Sequence, residues 1–215
     1  MPLFVSIAGN IGAGKTTACN VIAEAFGLRT LHEPVVDNRF LSPYYADMRR
    51  WSFTLQMEFL LKRIEHHRLV DTATVGCIQD RTLLEDPEIF AKYLHGLGNM
   101  SDDELDLYHD YVRMLLPSMR QPDRIIFLSC PDVNVLLRRI AERGRQAESG
   151  IEARFLRGLA HYYAVFPQVC ESKYGIPTLD VDVGAIDIRT PNGRAALLAQ
   201  VEEFLFEDQR TGRLF

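Results

Sequence analysis

Gly9-Asn10-Ile11-Gly12-Ala13-Gly14-Lys15-Thr16 fits the pattern G-x-x-x-x-G-K-[ST] at every fixed position. Its glycines let the backbone wrap so tightly that successive N–H groups point into one nest, which suits phosphate oxygens. The apolar run at 3–8 reads as a buried parallel strand leading into this loop. A helix over 15–26, stopped by Gly27, would present its positive N-terminal end to the same phosphates. In that setting Lys15 is expected to bridge β- and γ-phosphates and Thr16 to ligate Mg²⁺. A chance glycine-rich turn is the other reading; strand, loop and helix in register argue against it.

Outward from the loop, strands and helices alternate. Strands are expected at 30–32, 75–79, 124–129 and 178–181. Helices are expected at 46–72, 87–96, 101–119, 132–143, 151–174 and 194–206, with Pro167 kinking the fifth of these. Ser101 and Glu104 make a capping box at the start of the third. The whole of 1–215 is expected to be one α/β domain, a five-stranded parallel sheet with helices on both faces.

Composition sets outer limits. A net charge of −5 argues against a nucleic-acid polymer as partner, because such proteins carry a basic face. The cysteines at 19, 77, 130 and 170 include no C-x-x-C pair, so neither a zinc knuckle nor a thioredoxin-like site is suggested. No apolar run approaches the roughly 18 residues of a membrane span. The first strand starts at Leu3, which leaves no room for a leader peptide, so a cytoplasmic protein is expected.

Ligands of open α/β sheets bind beyond the carboxyl ends of the strands. Glu33 stands at that end of the second strand, and Asp80-Arg81 at that end of the third. Phosphoryl transfer to a hydroxyl needs a base near the acceptor and positive charge near the moving group. Glu33 fits the first role and Arg81 the second, while Asp80 is placed to help hold Mg²⁺. The competing reading is a structural salt bridge capping the sheet; the adjacent phosphate loop favours chemistry. Residues 138–145, R-R-I-A-E-R-G-R, follow the fourth strand, where a mobile lid over about 138–150 would close. Arginines there neutralise charge on transferring phosphates, or else complement their own helix dipole. The D-x-x-G and N-K-x-D loops of a GTPase are absent from the sequence.

In order, these pieces resemble the deoxynucleoside kinase family. The resemblance is carried by Gly9 to Thr17, Glu33-Pro34-Val35, Trp51-Ser52-Phe53-Thr54-Leu55-Gln56, Asp80-Arg81-Thr82, and 139–151, R-I-A-E-R-G-R-Q-A-E-S-G-I. It implies a P-loop kinase fold with an arginine-rich lid, transferring the ATP γ-phosphate to the 5′-hydroxyl of a deoxyribonucleoside. It implies that Gly9, Asn10, Ile11, Gly12, Ala13, Gly14, Lys15, Thr16 and Thr17 hold ATP. Arg139, Arg143 and Arg145 resemble the lid arginines. Glu33 resembles the base for the 5′-hydroxyl, and Arg81 its partner beside the 5′-oxygen. Gln56 resembles the amide that reads the base edge, and Tyr45 with Glu148 the pair on the 3′-hydroxyl. Arg63, Asp86 and Phe90 match positions around the base. Gln56 on an exposed helix face, and Tyr45 as a core or turn aromatic, are the plainer alternatives. Asp80 departs from the family pattern, since many relatives carry glutamate there.

Two finer expectations follow from the same resemblance. Arg63 and Asp86 are polar where thymidine-preferring relatives tend to be apolar, which points to deoxyadenosine, deoxyguanosine or deoxycytidine; the short N-terminus and compact chain resemble bacterial deoxyadenosine and deoxyguanosine kinases, which favours a purine. A deoxycytidine-preferring kinase is the alternative; a nucleoside monophosphate kinase is opposed by Glu33, which would repel an acceptor phosphate. The helix at 101–119 carries one apolar stripe at Leu105, Tyr108, Val112, Leu115 and Met119, and a second at Leu107, Tyr111 and Met114. Two apolar faces suit a homodimer, or else a wholly internal helix.

Overall fold

β1 (Phe4–Gly9) is buried at all six positions, as a strand covered on both faces must be. Four more strands follow: β2 (Arg29–Leu31), β3 (Cys77–Asp80), β4 (Arg124–Ser129) and β5 (Thr178–Asp182). All pair in parallel, in the order β2–β3–β1–β4–β5. Ile7 of β1 stands level with Asp80 on one side and Ile126 on the other. The order reverses at β1, so a crevice opens beyond the carboxyl ends of β1, β3 and β4. The computed structural model describes residues 1–32, 38–145, 148 and 150–210.

α1 (Lys15–Phe26) springs directly from the loop after β1 and ends as expected at Gly27, whose φ of 64° is left-handed. The single helix expected over 46–72 is instead two, α2 (Leu41–Ala46) and α3 (Met48–Asp71). Asp47 leaves helical geometry between them and caps α3, its carboxylate accepting from the Arg50 N–H at 3.0 Å. The helix expected at 87–96 opens as a π-helical turn, Asp86–Ala91, before α4 (Lys92–Gly96). α5 (Asp102–Leu115) begins at the expected capping box. α6 (Val133–Arg143) follows β4. The helix expected across 151–174 is again two, α7 (Ala153–Tyr163) and α8 (Phe166–Tyr174). Pro167 lies in the first turn of α8 rather than at a kink, where its missing N–H costs nothing. α9 (Pro191–Arg210) is the last helix among the described residues.

Alternation along β4 feeds two cores. Ile126 and Leu128 pack with Ile22 of α1, Leu136 of α6 and Leu197 of α9. Ile125 and Phe127 face the other way, onto Leu159 of α7 and Phe166 of α8. Side chains of this kind contribute about 1.5–3 kcal/mol each when fully buried. A third cluster joins α2 to α5 through Tyr44, Leu55, Leu94 and Tyr108. On α5, Tyr108 and Val112 are buried while Leu107, Tyr111 and Met114 remain exposed, so its two apolar stripes face different surroundings. Among the described residues no helix is long and apolar enough to cross a membrane.

Candidate active site

The phosphate loop is shaped by its glycines. Gly9 has φ +149° and Gly12 φ +84°, and a Cβ on either would sit 2.8 Å from a backbone oxygen, of Leu128 and Leu136 respectively. A side chain at either position would strain the loop and push it off β4 or α6. Asn10 steadies the turn: its Oδ1 accepts from the Ile11 N–H at 2.8 Å, and its Nδ2 donates to Leu156 O of α7 at 3.1 Å. Lys15 Nζ, buried, donates to the carbonyls of Gly9 (2.8 Å) and Asn10 (3.1 Å). Thr16 Oγ1 donates to Asp80 Oδ2 at 2.5 Å. The other oxygen, Asp80 Oδ1, is buried with no hydrogen-bond partner among the described residues.

A cavity of about 800 Å³ runs from this loop toward α3. Lys15, Thr16, Thr17, Asp80 and Arg81 line its floor, with Ile11, Gly12 and Gly14 of the loop. Tyr45, Gln56, Arg63, Asp86 and Phe90 line the far end. Arg139, Arg143, Arg145 and Glu148 line the remaining side, here called the roof. Gly9, Asn10 and Ala13, also of the loop, are buried and do not line it. Glu33, with Pro34 and Val35, lies outside the described residues.

At the far end Gln56 is 2% exposed, which excludes the exposed-face reading, and its Oε1 has no partner among the described residues. Arg63 Nε donates to Asp86 Oδ2, both side chains buried. Burial, followed by the charge of Asp86, raises the pKa of the Tyr108 phenol, whose oxygen is also without a partner among the described residues.

Arg81 follows β3 with φ 73°, the single non-glycine residue of positive φ among the described residues. Its guanidinium lies 4.8 Å from the Phe90 ring centroid. Its Nη1 donates to Glu85 Oε1 at 3.2 Å and to Tyr163 Oη at 3.1 Å.

On the roof, Arg143 and Arg145 both pair with Glu148, Arg145 at 3.4 Å. Burial and then the Glu148 charge push the Tyr45 phenol up to about 12, so at neutral pH it is a hydroxyl donor. Arg139 Nη2 donates to Val183 O at 2.8 Å, while its Nη1 is buried and without a partner among the described residues.

Two features of the site escape sequence reasoning. Arg189, on the cavity wall, bridges Asp187 at 2.9 Å and Glu142 of α6 at 2.8 Å. Hydrogen bonds from Arg189 hold the Asp187 carboxyl at about 2. The turn composition of 187–191 was a usable local signal, but the partner on α6 was not. The second is Glu85, wholly buried next to Asp86.

A parallel sheet winding outward in both directions from a phosphate loop, with a deep cavity flanked by arginines, is the build of the P-loop phosphotransferases. Residues 5–206 match the deoxynucleoside kinase family, and the chain belongs to it. It is 36% identical over 146 residues to the deoxyadenosine/deoxycytidine kinase of Bacillus subtilis (strain 168), covering 67% of each chain. It is 32% identical over 180 residues to the deoxyguanosine kinase of the same organism, covering 83% of this chain and 86% of that one. Among solved structures, deoxyadenosine kinase from M. mycoides with bound dCTP superposes with a TM-score of 0.80 at 27% identity, over 95% of this chain and 100% of that one.

Proposed function

We propose that this deoxynucleoside kinase transfers the γ-phosphate of ATP, with Mg²⁺, to the 5′-hydroxyl of deoxyadenosine or deoxyguanosine. The observation that carries this reading is the polarity of one cavity. Phosphate-binding groups converge at one end, and the buried Gln56 Oε1, without a partner among the described residues, awaits a donor at the other. A volume near 800 Å³ suits a ligand of nucleoside size together with the phosphates that reach it.

In this reading the loop N–H groups and Lys15 hold the β- and γ-phosphates. Thr16 and Asp80 hold Mg²⁺; Asp80 Oδ1, without a partner among the described residues, is the hard oxygen ligand that such a cation takes. When bound, the cation offsets negative charge on the transferring group. Glu33 takes the proton from the 5′-hydroxyl, and Arg81 sets positive charge beside the reacting oxygen. Tyr45 and Glu148 take the 3′-hydroxyl, one donating and the other accepting. Gln56 pairs with the base edge, as a carboxamide does with adenine N6 and N7. The buried Arg63–Asp86 pair keeps that end of the cavity polar. The names of the Bacillus relatives support a purine, and one of them also carries deoxycytidine. The N4 amino group of cytosine would satisfy Gln56 Oε1 equally, so deoxycytidine is the second reading.

The same proposal treats the chain as one domain acting in cytoplasmic nucleotide salvage, as a homodimer. Leu107, Tyr111 and Met114 of α5, exposed by 46%, 39% and 68%, support a second copy on that face. Light scattering at micromolar concentration should give twice the chain mass, and a monomer would end the dimer reading.

A coupled assay with ATP, the four deoxynucleosides, and dAMP and dGMP tests the catalytic reading. The highest kcat/KM is expected for a purine deoxynucleoside. Preference for thymidine would overturn the roles of Arg63 and Asp86, and turnover of monophosphates alone would overturn the acceptor.

A further inference from the structure

We propose that Glu85 is a positioning residue for phosphoryl transfer, locking Arg81 and the entrance of the phosphate loop at one mutual distance and acting through Arg81. The inference rests on the reading of Arg81 as the charge beside the reacting oxygen.

Glu85 is 0% exposed. Its Oε1 accepts from the Gly9 N–H at 3.1 Å, from Arg81 Nη1 at 3.2 Å and from Tyr163 Oη at 2.7 Å. Its Oε2 accepts from the Thr82 N–H at 2.9 Å. One carboxylate thus gathers donors from the end of β1, the turn after β3 and the end of α7. Capping the turn alone would need only Thr82 and Arg81. Gly9 is 76 residues distant and opens the phosphate loop; Tyr163 is 78 residues distant.

The surroundings make this node stiff. The Tyr163 ring stacks on Phe127 of β4, with centroids 5.9 Å apart and planes 18° off parallel. α7 is also fastened to the loop by the Asn10 bond to Leu156. Arg81, already in a left-handed conformation, is held by Glu85 and Tyr163 at Nη1 and by the Phe90 ring. Such restraint matters where a misplacement of about 1 Å can cost about 10²-fold in rate.

An amide cannot replace this carboxylate. Glutamine offers one acceptor oxygen, and its NH₂ would face a backbone N–H that now has an acceptor. Placing Glu85 between two catalytic elements also means that the defect should appear in turnover rather than in affinity.

The test is a cycle of Glu85→Gln and Tyr163→Phe, each made alone and with Arg81→Ala. It reads kcat, the KM values for ATP and nucleoside, and Tm. Glu85→Gln should lower kcat about 10- to 100-fold with KM values within about threefold, and Tyr163→Phe should lower kcat about three- to tenfold. On top of Arg81→Ala, neither should lower the residual kcat by more than about twofold. A lowered Tm with kcat intact, or an equal kcat loss with and without Arg81, would make Glu85 a purely structural residue and overturn the proposal. If Glu85→Gln does not fold, Tyr163→Phe decides by the same cycle. Arg81→Ala with normal turnover would sink the role of Arg81 itself; an inactive Arg81→Ala beside a normal Glu85→Gln would sink only Glu85.

Discussion

The floor and the roof of the cavity are held by different means. On the floor, backbone sets position: Gly9 and Gly12 bring the loop within contact of Leu128 and Leu136, and Lys15 is tied to the loop's own carbonyls. On the roof, side chains set position. Arg143 and Arg145 are 34% and 38% exposed, and both lean on one carboxylate, Glu148. A backbone-built site tolerates changes around it but not within it. A site built from partly solvated ion pairs is adjustable, because each pair is screened and contributes little alone. The floor should therefore govern rate and the roof affinity.

The largest effects belong to the floor. Lys15→Ala should lower kcat by about 10²- to 10³-fold, the cost of one preorganised donor to a charged transition state. Glu33 lies outside the described residues; if it is the base proposed above, Glu33→Gln should lower kcat by about 10²- to 10⁴-fold while ATP binding persists, because the loop is untouched. Single-turnover rates with equilibrium ATP binding separate the two terms. Near-normal turnover in Lys15→Ala would break the comparison on the floor side, and near-normal turnover in Glu33→Gln would remove Glu33 from the mechanism.

Next comes the roof. Glu148→Gln should raise the KM for the nucleoside about tenfold and change kcat far less, the mark of an interaction made equally in ground and transition states. Steady-state kinetics at saturating ATP decide it. A kcat loss as large as that of Lys15→Ala would show that the roof takes part in the chemistry after all.

Glu88 sharpens the same contrast outside the cavity, because it is an ion cluster with a buried centre. Burial disfavours its charge, but hydrogen bonds from Lys173, Lys92 and Tyr174 prevail and hold its carboxyl at about 2, below the ordinary 4.5. A depressed carboxylate contributes stability above its unfolded value and loses it as pH falls through the folded one. The contribution should be present at pH 7 and fade between about 4.5 and 2. Lys92 and Lys173 are 41% and 59% exposed, so solvent screening reduces it to about 2 kcal/mol. Thermal unfolding of wild type and Glu88→Gln across that pH range should show curves that converge in acid.

The smallest effect belongs to Arg189. It is 51% exposed and pairs with a Glu142 that is 49% exposed. Arg189→Ala should cost no more than about 1 kcal/mol, a Tm shift of a few degrees at most. A larger loss would mean that this bridge is more than a solvated surface pair.

The sequence was most legible where chemistry demands backbone. Glycine spacing, Lys15 and Thr16 made the loop and α1 readable to the residue and β1 to within one residue at each end, because few other residues fit positive φ beside a neighbouring carbonyl. The parallel sheet followed from apolar runs of strand length. Helix breaks were less legible. Asp47 reads as one more polar residue in a periodic stretch, yet its carboxylate caps Arg50 and divides α2 from α3. The break at 164–165 has no glycine, and Pro167 marked the start of a helix instead of its bend. Within the site, Gln56, Arg63, Asp86 and Phe90, which the resemblance alone had grouped, line one cavity. Glu85 was invisible because the positions that make it matter, 9, 81 and 163, are joined only by the fold.

That same convergence gives the site a place in time. The Glu85 carboxylate needs Tyr163, 78 residues later in the chain. At synthesis rates of 5–20 residues per second, about 4 to 16 s separate their appearance. During that interval the phosphate loop and Arg81 exist as sequence but not as a finished constellation, since α7 is not yet made. Long-range closure of this kind slows folding relative to local helix contacts. A nascent chain ending before α7 therefore carries the whole phosphate-loop motif and still lacks the clamp that would set Arg81 against it.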